Sequence, residues 1–248
     1  MTTQPEPASP AATPPGPGPN LVAALAEVMR HTPSCRYFRP DPVPADVLHR
    51  VLDNARFASS GGNRQGWRIV VVTDPGLRSG VADLHRRQWD AYIVHAREGV
   101  VGFQGDGSGK KMEHGTAYAR RRLDRTDDFS ARLHEVPVLL VCYVELATLA
   151  VTDSQLDRPS VVGGGSLYTL IQNILLGCTA EGLGSALTTL LAAEQPAVDE
   201  LLGTPPGYAL GALVAVGWPE PGTQYRRLSR KPVEEIAFAD RWGRPFTV

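Results

Sequence analysis

Arg36 and Arg230 carry planar guanidinium forks of the kind that grip phosphate bidentately, each charge-assisted bond contributing about 1.5–3 kcal/mol. Ser34, two residues before the first of them, adds a hydroxyl donor. Asn63 and Gln65 each present a donor and an acceptor on one side chain. They stand in Ser60-Gly-Gly-Asn63-Arg-Gln65-Gly-Trp67, where glycines let the backbone come close to a flat ligand. Together these groups suit a ligand with an anionic end and a flat, polar-edged body. Taken singly they say less. A lone arginine is ordinarily a solvated surface residue, Asn63 can be a left-handed turn residue, and Ser34 can be a cap. Trp67 reads as core.

Other chemistries fail by position. Gly109-Lys110 has Gln104 where a Walker loop needs its first glycine and Lys111 where it needs Ser or Thr. Gly105-Asp-Gly107 has Lys110 in place of the third glycine of a dinucleotide fingerprint, with no strand before it. His134-Glu135 lacks a second histidine at zinc-protease spacing, and the six histidines are scattered, so none is assigned to catalysis and no metal is expected.

The chain has 248 residues, with 25 Lys plus Arg against 26 Asp plus Glu. This balance leaves no electrostatic footprint for nucleic acid or a membrane surface. The first twenty residues hold seven prolines and a single charge, Glu6, so residues 1–20 read as a disordered Pro/Ala-rich tail. The remainder, 21–248, has ample apolar content for a buried core, hydrophobic residues making up 42% of the chain. Cys35, Cys142 and Cys178 are far apart with no C-x-x-C pair, and no signal peptide is visible, so the expected location is cytoplasmic. Residues 161–180 are uncharged over a span length, but Gly163 to Gly165, Ser166, Thr169, Gln172 and Asn173 make them too polar for a membrane.

The elements that must position these side chains follow from periodicity. Leu21, Ala24, Leu25 and Val28 predict an opening helix with Asn20 as its N-cap. Val47, Leu48, Val51, Leu52 and Ala55 predict a second, with Pro44 in its first turn. Residues 69–72 read as a strand buried on both faces, followed by a helix over about 75–97. Residues 136–144 read as a second buried strand with Pro137 near its start. Leu167, Leu170, Ile171, Ile174, Leu175 and Cys178 predict a core-facing helix closed by Gly182. Strands at 185–191 and 208–218, a short helix near 197–202 and an irregular, polar last thirty residues complete the chain. Strands mixed with helices without strict alternation indicate an α+β fold.

Ser34-Cys-Arg36-Tyr-Phe38, the Val43-Pro44 helix start and the 60–67 loop running into a strand resemble, in order and spacing, the flavin-dependent nitroreductase family. The segment 166–180 ending in Gly182-Leu-Gly184-Ser, Arg230-Lys-Pro232 and Asp240-Arg-Trp242-Gly resemble later parts of the same pattern. The resemblance implies a three-layer α/β/α fold around a mostly antiparallel sheet, in an intertwined homodimer with two flavins at the subunit interface. It implies FMN as cofactor, held by Ser34, Arg36, Asn63, Gln65, Thr188, Thr189 and Arg230, with backbone amides of 187–190 near the flavin ring. NAD(P)H would act as a diffusible hydride donor in a ping-pong cycle, and a small-molecule acceptor such as a nitroaromatic, quinone or enone would take the electrons. The flavin carries the chemistry, so no acid or base residue is required. Residues of about 99–132, where the resemblance is weakest, read as a variable lid, and about 219–248 as a C-terminal arm.

Three departures stand out. Thr32 replaces the family's first arginine, Ser59 and Gly66 replace two loop prolines, and Leu228 stands where some members have a cation. Thr32 and Leu228 keep open the alternative of a flavin-binding or flavin-sequestering protein with little turnover. Two chemistries of the wider family, a flavin-cleaving synthase and a halotyrosine deiodinase, rank low because their loop patterns differ from Gly62-Asn63-Arg-Gln65.

Overall fold

The computed structural model describes residues 18–97, 117–223 and 230–247. Strands β1 (Trp67–Val72), β2 (Val138–Glu145), β3 (Gly184–Thr188) and β4 (Tyr208–Gly217) form one antiparallel sheet in the order β1-β2-β4-β3. Helix α1 (Pro19–Arg30) and helix α2 (Ala45–Ala55) precede it, and α3 (Pro75–Arg97) and α4 (Ala117–Ala131) lie between β1 and β2. Helix α5 (Gly165–Ala180) enters β3, α6 (Gln195–Leu202) joins β3 to β4, and α7 (Val233–Ile236) lies in the C-terminal segment.

Strand alternation divides the core into two. Leu139, Val141 and Tyr143 of β2, with Leu213, Ala215 and Ala186, face Val81 and Leu84 of α3, Phe129 of α4 and Val198 of α6. Val138, Leu140, Cys142 and Val144, with Ala212, Val214 and Val216, face Val47, Leu48 and Val51 of α2 and Leu167, Leu170, Ile171 and Ile174 of α5. The result is the α+β, three-layer arrangement expected. At the end of α5, Gly182 takes a left-handed φ of 75°, and Leu183 N–H donates to Cys178 O while Gly182 N–H donates to Thr179 O. This is a Schellman close, and it turns the chain directly into β3.

Several sequence expectations are corrected. The strand expected at 69–72 is not buried on both faces: β1 is a sheet edge, bonded only to β2, so Val71 is 38% exposed and Ile69 and Val70 are half-buried. The strand expected at 136–144 starts after Pro137, which has no N–H to give the ladder. The strand expected at 185–191 stops at Thr188, where residues 190–194 coil into a 3-10 turn that buries Leu191. Asn20 is not the cap of α1, which starts at Pro19 behind Gly18, and Pro44 is the N-cap of α2 rather than part of its first turn.

Of the lid segment, residues 98–116 lie outside the described residues, and the rest includes α4, which packs on α3 through buried Phe129. Trp89 of α3 is buried as well. All three cysteines are free and buried, and burial pushes the Cys142 and Cys178 thiols up to about 12. Among the described residues no helix is long and apolar enough to cross a membrane, and no group of His, Cys, Asp and Glu could hold a metal.

Candidate functional site

The segment carrying Ser34 and Arg36 is attached to the outer edge of β3. Cys35 N–H donates to Ser185 O at 2.8 Å, and Ser34 pairs with Ser185 in a parallel bridge. Further along, Arg39 N–H donates to Trp218 O at 2.9 Å. Cys35 is fully buried, whereas Ser34 is exposed and Arg36 half-buried, the alternation expected of extended backbone. The close approach depends on Gly184, where a Cβ would lie 2.5 Å from Cys35 Sγ and 2.7 Å from its Cβ. Gly184→Ala is therefore expected to push the 34–36 segment off β3. It should destabilise the fold by about 1–3 kcal/mol, which urea denaturation checks.

Thr188 and Thr189 close β3 on this same edge. Leu190 N–H donates to Thr188 Oγ1 at 3.4 Å, and His85 Nε2 lies 3.3 Å from the same oxygen. His85 Nδ1 in turn is 3.3 Å from Ser130 Oγ. His85 is 2% exposed, and burial, helped by the charge of Arg86, pushes its pKa down to about 4. Between pH 6.5 and 4 the unfolded chain binds this proton and the folded one does not, so stability is complete above pH 6.5 and lost as the pH falls through 4. The unfolding free energy should drop by about 3 kcal/mol across that window from this group, and His85→Phe should remove that part of the slope in denaturation series at stepped pH.

Asn63 and Gln65 sit in a tightly wound loop before β1. Gly62, Asn63 and Gln65 have φ of 59°, 54° and 49°. For two non-glycine residues this left-handed backbone costs on the order of 1–2 kcal/mol each unless the surroundings enforce it. They do. Gln65 N–H donates to Ser60 Oγ at 3.1 Å and Gln65 Nε2 to Asn63 Oδ1 at 3.0 Å. Gly61 N–H donates to Ser166 Oγ and Thr169 Oγ1 to Ser59 O, which fixes the loop to the first turn of α5. Ser60, Ser166 and Thr169 were not singled out by sequence, since nothing local connects residues 59–61 with 166–169. Gly66 also acquires a reason: a Cβ there would overlap the Thr148 side chain, so a proline at 66 and Thr148 as placed exclude each other.

Arg230 is exposed and precedes α7, whose N-cap is Pro232. At the start of this arm Glu220 N–H donates to Tyr37 O, whereas the backbone bonds of 232–246 among the described residues are internal, Ala237 N–H to Val233 O and Phe246 N–H to Ala237 O among them, and Trp242 is 91% exposed. The Thr32 hydroxyl donates to Val28 O at 2.6 Å and is thus committed to the end of α1; Leu228 lies outside the described residues.

The topology brings some of the candidates together and keeps others apart. Ser34 and Cys35 pair with Ser185 near the start of β3 and Thr188 ends that strand, while Asn63 and Gln65 lead into β1, the opposite edge of the sheet. Buried strands β2 and β4 lie between them, and three inter-strand steps amount to about 14 Å before any offset along the strands. The candidates thus fall into two groups on one chain, Ser34 and Arg36 beside β3 and Asn63 and Gln65 before β1.

Residues 29–218 match the nitroreductase family. The chain is similar to the 5,6-dimethylbenzimidazole synthase of Rhodobacter capsulatus, 30% identical over 199 residues that cover 79% of this chain and 84% of that one. It is 28% identical over 245 residues to an NADH dehydrogenase of Thermus thermophilus, covering 88% and 96%. Among solved structures, iodotyrosine deiodinase bound to FMN and 3-iodo-L-tyrosine shares the fold with a TM-score of 0.61 at 21% identity, covering 86% of this chain and 100% of that one. A synthase and a deiodinase, ranked low on loop pattern, are therefore among the relatives.

Proposed function

The chain belongs to the nitroreductase family, and from that premise we propose that it is an FMN-dependent oxidoreductase using NAD(P)H and a small oxidised acceptor such as a nitroaromatic, quinone or enone. The observation that carries this reading is the pairing of Ser34 and Cys35 with Ser185 of β3, the edge strand that ends at Thr188. It supports a reading in which a guanidinium and hydroxyls along this edge strand meet a phosphate and the polar rim of a flavin. FMN, when bound, supplies the hydride chemistry. Arg36 and Ser34 would hold its phosphate, with Arg230 as a second cation. Thr188, Thr189 and the backbone of 187–190 would face the ring, and Asn63 and Gln65 would offer amides to its pyrimidine edge or ribityl hydroxyls.

We infer that a complete site is built from two copies, each giving its β3 edge to one flavin and its 60–65 loop to the other; the separation of the two groups across the sheet supports this. Unpartnered apolar surface supports this homodimer. Leu21, Val22, Leu25 and Met29 on α1 are all at least half exposed, as are Val233, Ile236, Trp242 and Phe246 of the arm. Monomers seldom leave such patches open, and an obligate interface would bury more than about 2,000 Å².

Anaerobic mixing with NADH and then NADPH tests the reading. Bleaching of the flavin absorption, its return on adding a quinone, and parallel double-reciprocal plots are expected. A flavin that neither nicotinamide reduces would instead support the second reading, flavin holding with little turnover, which the commitment of Thr32 to α1 favours.

A further inference from the structure

We propose that His85, backed by Ser130, is a positioning residue that decides whether the Thr188 hydroxyl offers a proton or a lone pair to a ligand at the open end of β3. The inference rests on the flavin reading above. The three groups come from α3, α4 and β3 and form one chain, Ser130 Oγ to His85 Nδ1 at 3.3 Å and His85 Nε2 to Thr188 Oγ1 at 3.3 Å. Ser130 and His85 are each 2% exposed, while Thr188 is half-buried, so the chain runs from the interior to the edge of the candidate site.

A neutral imidazole has one N–H and one acceptor nitrogen, which leaves the chain two directions. In the first, Ser130 donates to Nδ1 and Nε2–H donates to Thr188. Thr188 Oγ1 also accepts from Leu190 N–H, so its lone pairs are used and its own proton points outward. In the second, Nδ1–H donates to Ser130 and Thr188 donates to Nε2, leaving an oxygen lone pair outward. Both arrangements contain the same protons, one on each hydroxyl and one on the imidazole; they differ in which nitrogen holds it and how the hydroxyls turn. The burial that keeps His85 neutral also keeps water from satisfying either end separately, so the three groups reorient together. Ring nitrogens that accept hydrogen bonds in oxidised FMN and donate them in reduced FMN would select the first arrangement in one state and the second in the other.

The test is the ratio of affinities for oxidised and reduced FMN, from the midpoint potential measured by dye equilibration, in wild type, His85→Phe, His85→Gln, Thr188→Val and the double variant. We expect His85→Phe and Thr188→Val each to change the ratio about tenfold, about 30 mV for a two-electron couple, and the double variant to change it no further. His85→Gln, which keeps a donor and an acceptor, should restore part of the shift, and it carries the test where the phenylalanine does not fold. In the wild type, ¹⁵N shifts of labelled histidine should report proton transfer from Nε2 to Nδ1 on reduction. Unchanged potentials, additive shifts, or one His85 tautomer in both states would overturn the proposal while leaving the flavin site in place. A wild-type chain that binds no FMN would overturn the site reading, and this inference with it.

Discussion

Arg36→Ala should weaken FMN binding about 10- to 150-fold, as read by quenching of flavin fluorescence on titration into the apoprotein. That range is the loss of one charge-assisted bond, about 1.5–3 kcal/mol. Arg36 is the cation that the β3 edge holds in place, through the Cys35 bond to Ser185 one residue earlier. No compensation comes from Thr32, whose hydroxyl is spent on Val28 O. Arg36→Lys should recover only part of the loss, since an ammonium keeps the charge but not the fork. An unchanged affinity in Arg36→Ala would remove the phosphate from this edge.

The second large effect is complementation between chains. Arg36→Ala damages the β3 edge; Gln65→Gly removes an amide from the loop while relieving its left-handed backbone, so any loss of binding is not a strain effect. If two copies share each flavin as proposed, each variant alone should bind FMN poorly, because both sites of such a homodimer carry the same defect. A mixed dimer has one site in which both defects meet and one with neither, so co-expression of the two variants should restore tight binding at one site per mixed dimer. If edge and loop of one chain served the same flavin, every site in the mixture would carry one defect and nothing would be regained. The sheet order β1-β2-β4-β3 argues for the first outcome.

Much of this architecture was legible in the chain because it is written at short range. The three-and-four spacing of α5 and the apolar runs of β2 and β4 mark elements buried on account of their own side chains. The misreadings concern relations between distant segments. The composition of β1 suits a central strand, and only the sheet order makes it an edge. The end of β3 depends on the buried turn at Leu191, which apolar runs do not distinguish from more strand.

The same division holds for the site. Ser34, Arg36, Asn63 and Gln65 could be picked out by type and spacing, but motif spacing carries no information about which edge of the sheet each would occupy. His85 and Thr188 are 103 residues apart, and His85 and Ser130 are 45 apart. Only the packing of α3 and α4 over β3 places a histidine with no local signal behind a threonine of the site. Gly66 is the converse case. In the chain it looks like the loss of a stiffening proline, and in the fold it is what Thr148 requires.

The central claim is that this chain holds FMN in a site shared by two copies, and the visible absorption spectrum of the purified protein, followed by identification of what heat releases from it, tests it most directly. The account predicts flavin bands, FMN as the released species and one FMN per chain in a dimer. A colourless protein that also fails to take up added FMN would contradict it.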